Sequence, residues 1–171
     1  MTSVTTTPFN PLLWLGGPAV ACVALSLLFA APLQIFGLRL PEPVFALAPA
    51  FAWGMMRPSF APPFALLAVG LCLDLLWGTP LGLWPLALLA AYAPVLLARA
   101  FLSVQGFWSL WAWYAAACLA ALGTGVALFA LAFGVVPDLV ALSWQLAATI
   151  VLFPFANRLI ERYEDADARF R

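Results

Sequence analysis

The stretch LCLDLLWGTPLGL, residues 71–83, places a single carboxylate, Asp74, inside an otherwise apolar segment. A tight turn, Gly78-Thr79-Pro80, follows this segment, and a second apolar segment begins after the turn. An acidic side chain in a hydrocarbon-bound helix is costly, so other groups of the protein must satisfy it. We therefore expect this stretch to hold the site that matters most to the protein.

The composition of the whole chain is typical of a membrane protein. Of its 171 residues, 66% are apolar and 8% are charged, and the mean hydropathy is +1.07. A soluble domain of this size needs more polar surface, whereas long uncharged apolar runs indicate transmembrane helices. The sequence predicts an all-α polytopic membrane protein.

The charged and reactive residues argue against several classes of function. Seven Arg balance seven acidic residues, so the net charge gives no indication of nucleic-acid binding. The chain has no His, which removes the commonest general base and metal ligand. Cys22, Cys72 and Cys118 lack the paired spacing of a metal or redox site. No catalytic motif accompanies Asp74, so we expect no enzymatic activity, no cofactor and no metal.

Six apolar segments can be drawn, at about residues 12–36, 43–56, 61–77, 81–102, 107–133 and 139–160. The second segment is short, because fourteen residues make about 21 Å of helix against a hydrocarbon core of about 30 Å. We predict six transmembrane helices, with five as the alternative if the second segment is re-entrant. Asp138 should cap the sixth helix, and Pro154 should kink it.

The arginines indicate the orientation of the chain in the membrane. If both termini are cytoplasmic, six arginines lie on the cytoplasmic side and Arg39 alone lies on the other, as the positive-inside rule favours. Residues 1–157 then form one transmembrane domain, and residues 158–171 form a short cytoplasmic tail. Five spans would place the N-terminus outside and Arg39 inside, so the charge rule does not distinguish the two topologies.

Asp74 lies about 6 Å of helix before the turn, near a membrane surface rather than the bilayer centre. We expect its carboxylate to accept hydrogen bonds from the N–H groups that open the fourth helix, or from the Thr79 hydroxyl. Thr79 and Pro80 fit the N-cap and first turn of that helix. Gly78 and Gly82 permit the backbone to turn and the helices to approach.

A functional role for Asp74 is the alternative to this structural one. In that case the carboxylate contacts a ligand, a cation or a partner helix, and Arg39 is the best charged candidate to join it. Gln145 is a further candidate polar partner, and it lies one helical turn from Thr149. The simplest role for Gln145 and Thr149 is an interhelical hydrogen bond.

Two stripes of small residues run along the fifth helix at four-residue spacing. They are Ala116, Ala120 and Thr124 on one face, and Ala117, Ala121 and Gly125 on the next. Small residues let membrane helices approach closely. Packing inside the chain is favoured over packing against a second protein.

The segment around Asp74 resembles the signature of the rod shape-determining protein MreD family, which has the form Gly-x-x-x-Asp-x-x-x-Gly-x-Pro-x-Gly. The fixed places of the signature are filled here by Gly70, Asp74, Gly78, Pro80 and Gly82. The chain is also similar to that family in length and in its five or six spans. A Thr-x-x-x-x-Pro pattern near the end of the last helix is similar too, and is formed here by Thr149 and Pro154.

This resemblance implies a non-enzymatic scaffold of the elongasome in a bacterial inner membrane, acting in cell shape and peptidoglycan synthesis. It implies MreC as the partner and, through MreC, the MreB filaments, RodA and the class B penicillin-binding transpeptidase. It also implies a fold similar to the substrate-binding subunits of energy-coupling-factor transporters. That fold suggests the alternative function, a subunit that binds or transports a small vitamin-like molecule.

Overall fold

The computed structural model describes residues 11–30, 34–35, 38–39, 43–56 and 60–169. Its elements are α1 (Pro11–Ala30), β1 (Gln34–Ile35), β2 (Leu38–Arg39), α2 (Leu47–Met55), α3 (Ala61–Trp77), α4 (Leu83–Leu102), α5 (Phe107–Phe133), α6 (Leu139–Ile150) and α7 (Phe153–Arg169). The predicted helical architecture is confirmed. Two short strands, β1 and β2, depart from the all-helical prediction. They pair antiparallel, with Gln34 opposite Arg39.

Three stretches among the described residues are long and apolar enough to cross a membrane. They are Leu83–Leu102, Phe107–Phe133 and Leu139–Arg162, the last of which comprises α6 and the first part of α7. The helices Leu15–Leu28 and Ala61–Trp77 are apolar but shorter. The protein is therefore a membrane protein by the length and composition of its helices, as its sequence predicts.

The core lies around α4, which packs against α2, α3 and α5. Aromatic side chains fill the space between α2, α5 and α7. The ring of Tyr114 lies 5.4 Å from Phe51 and 5.6 Å from Phe153, and all three side chains are fully buried. Edge-on and tilted ring contacts of this kind add to the stabilisation that burial supplies.

The second apolar segment forms α2, which is the shortest helix described and the most deeply buried. Residues 47–54 are all buried. Nine residues make about 14 Å of helix, less than half of a hydrocarbon core of about 30 Å. The number of apolar segments fits the prediction, but α2 is not long enough to cross the membrane alone.

Contacts at its two ends place α2 in the bundle. At its C-terminal end, Arg99 near the end of α4 donates a hydrogen bond to the Met56 carbonyl at 3.3 Å. Before its start, the Val44 N–H donates to the hydroxyl of Thr149 at 3.1 Å, about 15 Å along α6. We call the end of the bundle that holds residues 78–82 the turn end. The helix α2 therefore occupies the opposite half of the bundle.

The sixth segment is divided in two at the predicted proline. Because Pro154 has no N–H, the carbonyl of Ile150 loses its regular helical partner. The chain tightens here, with the Leu152 N–H donating to the Thr149 carbonyl at 3.0 Å. The kink is confirmed, and α7 then runs without a break through the predicted start of the tail at residue 158. At the other end of α6, Asp138 caps the helix as predicted and accepts from the Val140 N–H at 2.9 Å.

One of the two small-residue stripes on α5 is packed inside the chain. Ala117 and Ala121 are buried, on the face that α5 turns towards the core. Ala116 and Ala120 are exposed, and Thr124 is half-exposed with its hydroxyl bonded to its own helix. The expectation of internal packing is therefore wrong for the stripe of Ala116, Ala120 and Thr124, because α5 directs its neighbouring face to the core.

Candidate functional site

Asp74 lies in the last turn of α3 and is 1% exposed. Its Oδ1 accepts hydrogen bonds from the Thr79 hydroxyl at 2.8 Å and from the Trp84 N–H at 3.1 Å. Its Oδ2 accepts from the Gly82 N–H at 2.7 Å. Both predicted kinds of donor, the Thr79 hydroxyl and the N–H groups that open α4, are confirmed. The cost of burying the carboxylate is offset by three donors within ten residues of chain.

The backbone carbonyl of the same residue ends α3. It accepts from the N–H groups of Gly78 and Thr79, the second at 3.0 Å. The bond from Thr79 is the six-to-one bond of a Schellman ending, and Gly78 takes the left-handed conformation that such an ending needs, with φ at 62°. Asp74 therefore ends one helix through its backbone and caps the next through its side chain.

The first turn of α4 leaves no backbone donor unpaired among the described residues. Two of its N–H groups donate to Asp74, as given above. The Leu83 N–H donates to the Pro80 carbonyl at 3.1 Å, and Pro85, which follows Trp84, has no N–H. The first four N–H groups of a helix normally have no partner within the helix. In a bilayer each unpaired N–H group costs several kcal/mol, about as much as a hydrogen bond lost in hydrocarbon.

The start of α4 differs from the prediction. Thr79 and Pro80 were expected at the N-cap and first turn, whereas the helix begins at Leu83 with Gly82 at the N-cap. The φ of Gly82 is 99°, a conformation that L side chains rarely adopt. The capping group comes from Asp74 in the preceding helix, so the chain turns through Gly82 to bring its N–H groups to that carboxylate.

The helices on either side of the turn are in close contact. A Cβ atom added to Gly70 would lie 2.5 Å from the backbone nitrogen of Pro85 and 2.6 Å from its Cα. Neither atom belongs to a flexible side chain, so α3 has no room for a larger residue at this position. The rings of Trp77 and Trp84 meet edge-on beside the turn, with their centres 4.8 Å apart.

Each fixed residue of the signature thus has a part in one joint. Gly70 allows α3 and α4 to touch, and Asp74 caps the start of α4. Gly78 and Gly82 adopt positive φ, and the carbonyl of Pro80 accepts from the Leu83 N–H. We refer to the turn with these residues as the Asp74 joint.

The other predicted polar partners lie elsewhere or outside the description. Arg39 belongs to β2, but its side chain lies outside the described residues, so a contact with Asp74 stays a prediction. Gln145 makes no hydrogen bond to Asp74, and its side chain lines a pocket together with Thr79. Of the two candidate partners, only Gln145 is described, and it is not brought to the carboxylate.

Thr149 forms a second, fully buried junction. Its hydroxyl accepts from the Val44 N–H at 3.1 Å and donates to the Gln145 carbonyl at 2.7 Å. Its own carbonyl accepts from the Tyr114 hydroxyl at 3.1 Å. An interhelical hydrogen bond is confirmed at Thr149, but it is made by its backbone carbonyl to Tyr114 on α5, a partner that was not predicted. The side chain of Gln145 makes no such bond in the described part of the chain. The signal for Tyr114 was available, since a tyrosine hydroxyl inside a span needs a partner.

A pocket of about 120 Å³ lies beside the Asp74 joint, between α4, α5 and α6. Its floor consists of buried apolar side chains: Leu83, Trp84, Ala121 and Leu122. Its rim consists of half-exposed residues that include Thr79, Gly125 and Gln145. Such a lining accepts hydrocarbon rather than a charged or strongly polar solute.

The joint provides rigidity rather than a reactive group, since three donors already engage the carboxylate. In the described ranges, no three His, Cys, Asp or Glu side chains come together in a way that fits a metal ion. Comparisons with protein-family models, with curated proteins and with solved structures give no match to this chain.

Proposed function

We propose that this protein is a non-enzymatic scaffold of the bacterial elongation machinery, of the rod shape-determining MreD kind. Its direct partner in this proposal is MreC, and MreB, RodA and the class B penicillin-binding transpeptidase are reached through MreC. One observation carries the proposal: all five fixed residues of the signature act in a single joint. A chance match between two apolar helices would be expected to leave some of these residues without a structural part.

The proposal places the protein in the inner membrane, with both termini in the cytoplasm and the Asp74 joint at the periplasmic surface. Arg99 lies at the end of α4 far from the turn, and Arg158 and Arg162 lie in α7. This distribution agrees with the positive-inside rule. The proposed fold is similar to that of the substrate-binding subunits of energy-coupling-factor transporters.

The tip of the Asp74 joint is the proposed contact for the partner. Leu81 is 73% exposed there. The Asp74 carboxylate holds the chain on both sides of it, through the hydroxyl of Thr79 and the N–H of Gly82. A rigid apolar anchor contributes to binding at little entropic cost, because it is already ordered before the partner arrives.

A vitamin-binding or transporter subunit is the second candidate, and the pocket beside the joint is the observation that favours it. Its volume of about 120 Å³ is below the roughly 300–1,000 Å³ of ordinary small-molecule sites. Its polar side chains are few, and the Thr79 hydroxyl is already bonded to Asp74. These properties favour the scaffold over the vitamin binder.

Depletion of the protein in the bacterium that carries it, followed by microscopy, tests the proposal. We expect rod-shaped cells to become round and to recover their shape when the wild-type chain is supplied. Cells that keep their rod shape without the protein would contradict the proposal. Co-purification of a vitamin, or of a pair of energising ATPases, would favour the second candidate.

Co-purification of MreC tests the contact surface separately. Leu81→Gln should reduce the recovery of MreC, while Val104→Gln should not. Val104 is the matched control, because it is an equally exposed apolar residue in a loop at the opposite end of the bundle. Equal recovery of MreC with both variants would exclude the tip of the joint as its contact.

A further inference from the structure

We propose that the pocket beside the Asp74 joint binds one membrane phospholipid, with part of an acyl chain in the pocket and its ester carbonyl at Gln145. This site is independent of the proposed partner, because it is formed by side chains of this chain alone. Four observations support it: the lining, the depth, the unpaired groups and the volume.

The lining matches hydrocarbon. The floor residues Leu83 and Leu122 are buried and apolar, and the rim residues Val126 and Phe129 are apolar and half-exposed. Gly125 lines the pocket without a side chain, and a Cβ atom there would make an ordinary van der Waals contact with Leu83 at 3.7 Å. An apolar cavity with these walls does not hold water well, so an apolar group is its natural occupant.

The position of the pocket matches the depth of lipid ester groups. Thr79 and Pro137 belong to the two loops at the turn end, and both lie on its wall. Gln145 lies six residues after the first residue of α6, about 9 Å of helix below that end. The pocket therefore extends from the membrane surface into the outermost hydrocarbon, where the ester carbonyls and first methylenes of a phospholipid lie.

Two hydrogen-bond donors on the lining residues have no acceptor within the described part of the chain. The carboxamide of Gln145 makes no hydrogen bond there, although its residue is half-buried. The indole N–H of Trp84 is buried and equally unpaired. A donor left unpaired in apolar surroundings is costly, and an ester carbonyl supplies the acceptor that Gln145 lacks.

The volume limits what can enter. A cavity of about 150 Å³ admits one benzene ring, so a pocket of about 120 Å³ admits only a few carbon atoms. The bicyclic ring of a vitamin is too large, whereas a short part of an acyl chain fits. The rest of the acyl chain then extends towards the bilayer centre over exposed apolar surface of the bundle, which includes Leu119 and Val151.

Photocrosslinking of the purified protein tests this site. The probe is a phosphatidylethanolamine with a diazirine near the ester end of one acyl chain, present as a minor component of phosphatidylcholine nanodiscs. We expect crosslinks concentrated on the pocket segments of α5 and α6, residues 121–129 and 142–145. Labelling spread evenly over the exposed face of α5 would mean ordinary annular lipid and would overturn the proposal.

Two glycine variants make the test specific. Gly125→Leu fills the pocket and should reduce the pocket crosslinks about tenfold, which corresponds to a loss of about 1.4 kcal/mol of binding. Gly123→Leu makes the same change on the exposed side of α5, where a Cβ atom has no neighbour within 4 Å, and should leave the crosslinks unchanged. Undiminished pocket crosslinks in Gly125→Leu would also overturn the proposal.

A rim variant covers the case in which Gly125→Leu does not fold. Val126→Trp narrows the opening without touching the floor, and it should reduce the pocket crosslinks as well. Gln145→Leu removes the amide N–H that donates to the ester carbonyl and keeps the apolar wall. It should shift the crosslinks along α5, because the acyl chain is no longer held at a fixed depth. A crosslink pattern that is unchanged in both variants would contradict the site.

Discussion

The carboxylate of Asp74 lies 2.7 Å from the backbone nitrogen of Gly82, eight residues later at the N-cap of the next helix. Helix caps usually come from the residue at the N-cap itself. Gly82 occupies that position and has no side chain, so the preceding helix supplies the acceptor. The end of α3 and the start of α4 consequently depend on the same residue.

Removal of this carboxylate should destabilise the protein. Asp74→Ala leaves the N–H groups of Gly82 and Trp84 and the Thr79 hydroxyl without their acceptor, and we expect a loss of about 2–4 kcal/mol in the free energy of unfolding. Asp74→Asn should be milder, because its single amide oxygen still accepts from one side of the turn. Reversible unfolding in detergent measures both. Two variants as stable as the wild type would contradict the capping role.

Replacement of Gly70 should separate the two helices of the joint. A methyl group at this position meets the backbone of Pro85 at 2.5 Å, and we expect Gly70→Ala to cost about 1–3 kcal/mol. Gly123→Ala is the matched control, because its Cβ atom has open space and alanine favours a helix. The comparison is made by thermal unfolding of both variants. A Gly70→Ala protein at least as stable as the control would mean that the helices are not in close contact.

The two glycines of the turn should differ in their tolerance of asparagine. Both positions have open space, so the backbone angle alone separates them. Gly78 has φ at 62°, which asparagine adopts readily, whereas Gly82 has φ at 99°, outside the left-handed helical region. Gly78→Asn should therefore retain most of the stability and Gly82→Asn should lose about 1–2 kcal/mol more. The reverse order of melting temperatures would be inconsistent with this turn.

Thr149 should be replaceable by serine but not by valine. Thr149→Val keeps the shape of the side chain and removes the acceptor of the buried Val44 N–H, for which we expect a cost of about 1–3 kcal/mol. Thr149→Ser keeps the hydroxyl and should cost less. Ser143→Ala is the control, because it removes an exposed hydroxyl from the same helix. Equal stability of the valine and serine variants would exclude the junction.

The sequence predicts features that rest on local chemistry. The fifth segment has the predicted bounds, 107–133, because glycines flank both of its ends and Gly134 ends it with positive φ. The contacts of Asp74 and Asp138 were also predictable, since a charged oxygen near a helix start has few other acceptable partners. Pro154 breaks its helix through the same local mechanism.

Features that rest on tertiary packing could not be predicted. Hydropathy reports how strongly a side chain avoids water, and both the lipid and the protein interior satisfy that preference. The sequence therefore gave no sign that α2 is enclosed on all sides, or that Ala117 faces inwards and Ala116 outwards. The start of α4 was misplaced for a related reason, because its cap comes from another helix.

Amide hydrogen exchange at the start of α4 tests the role of the Asp74 joint most directly. In nanodiscs, a peptide that contains Gly82, Leu83 and Trp84 should exchange slowly in the wild type. In Asp74→Ala, we predict faster exchange in this peptide and unchanged exchange in the centre of α5. Exchange at Gly82–Trp84 that is equally slow in the variant would contradict the conclusion that one carboxylate joins the two helices.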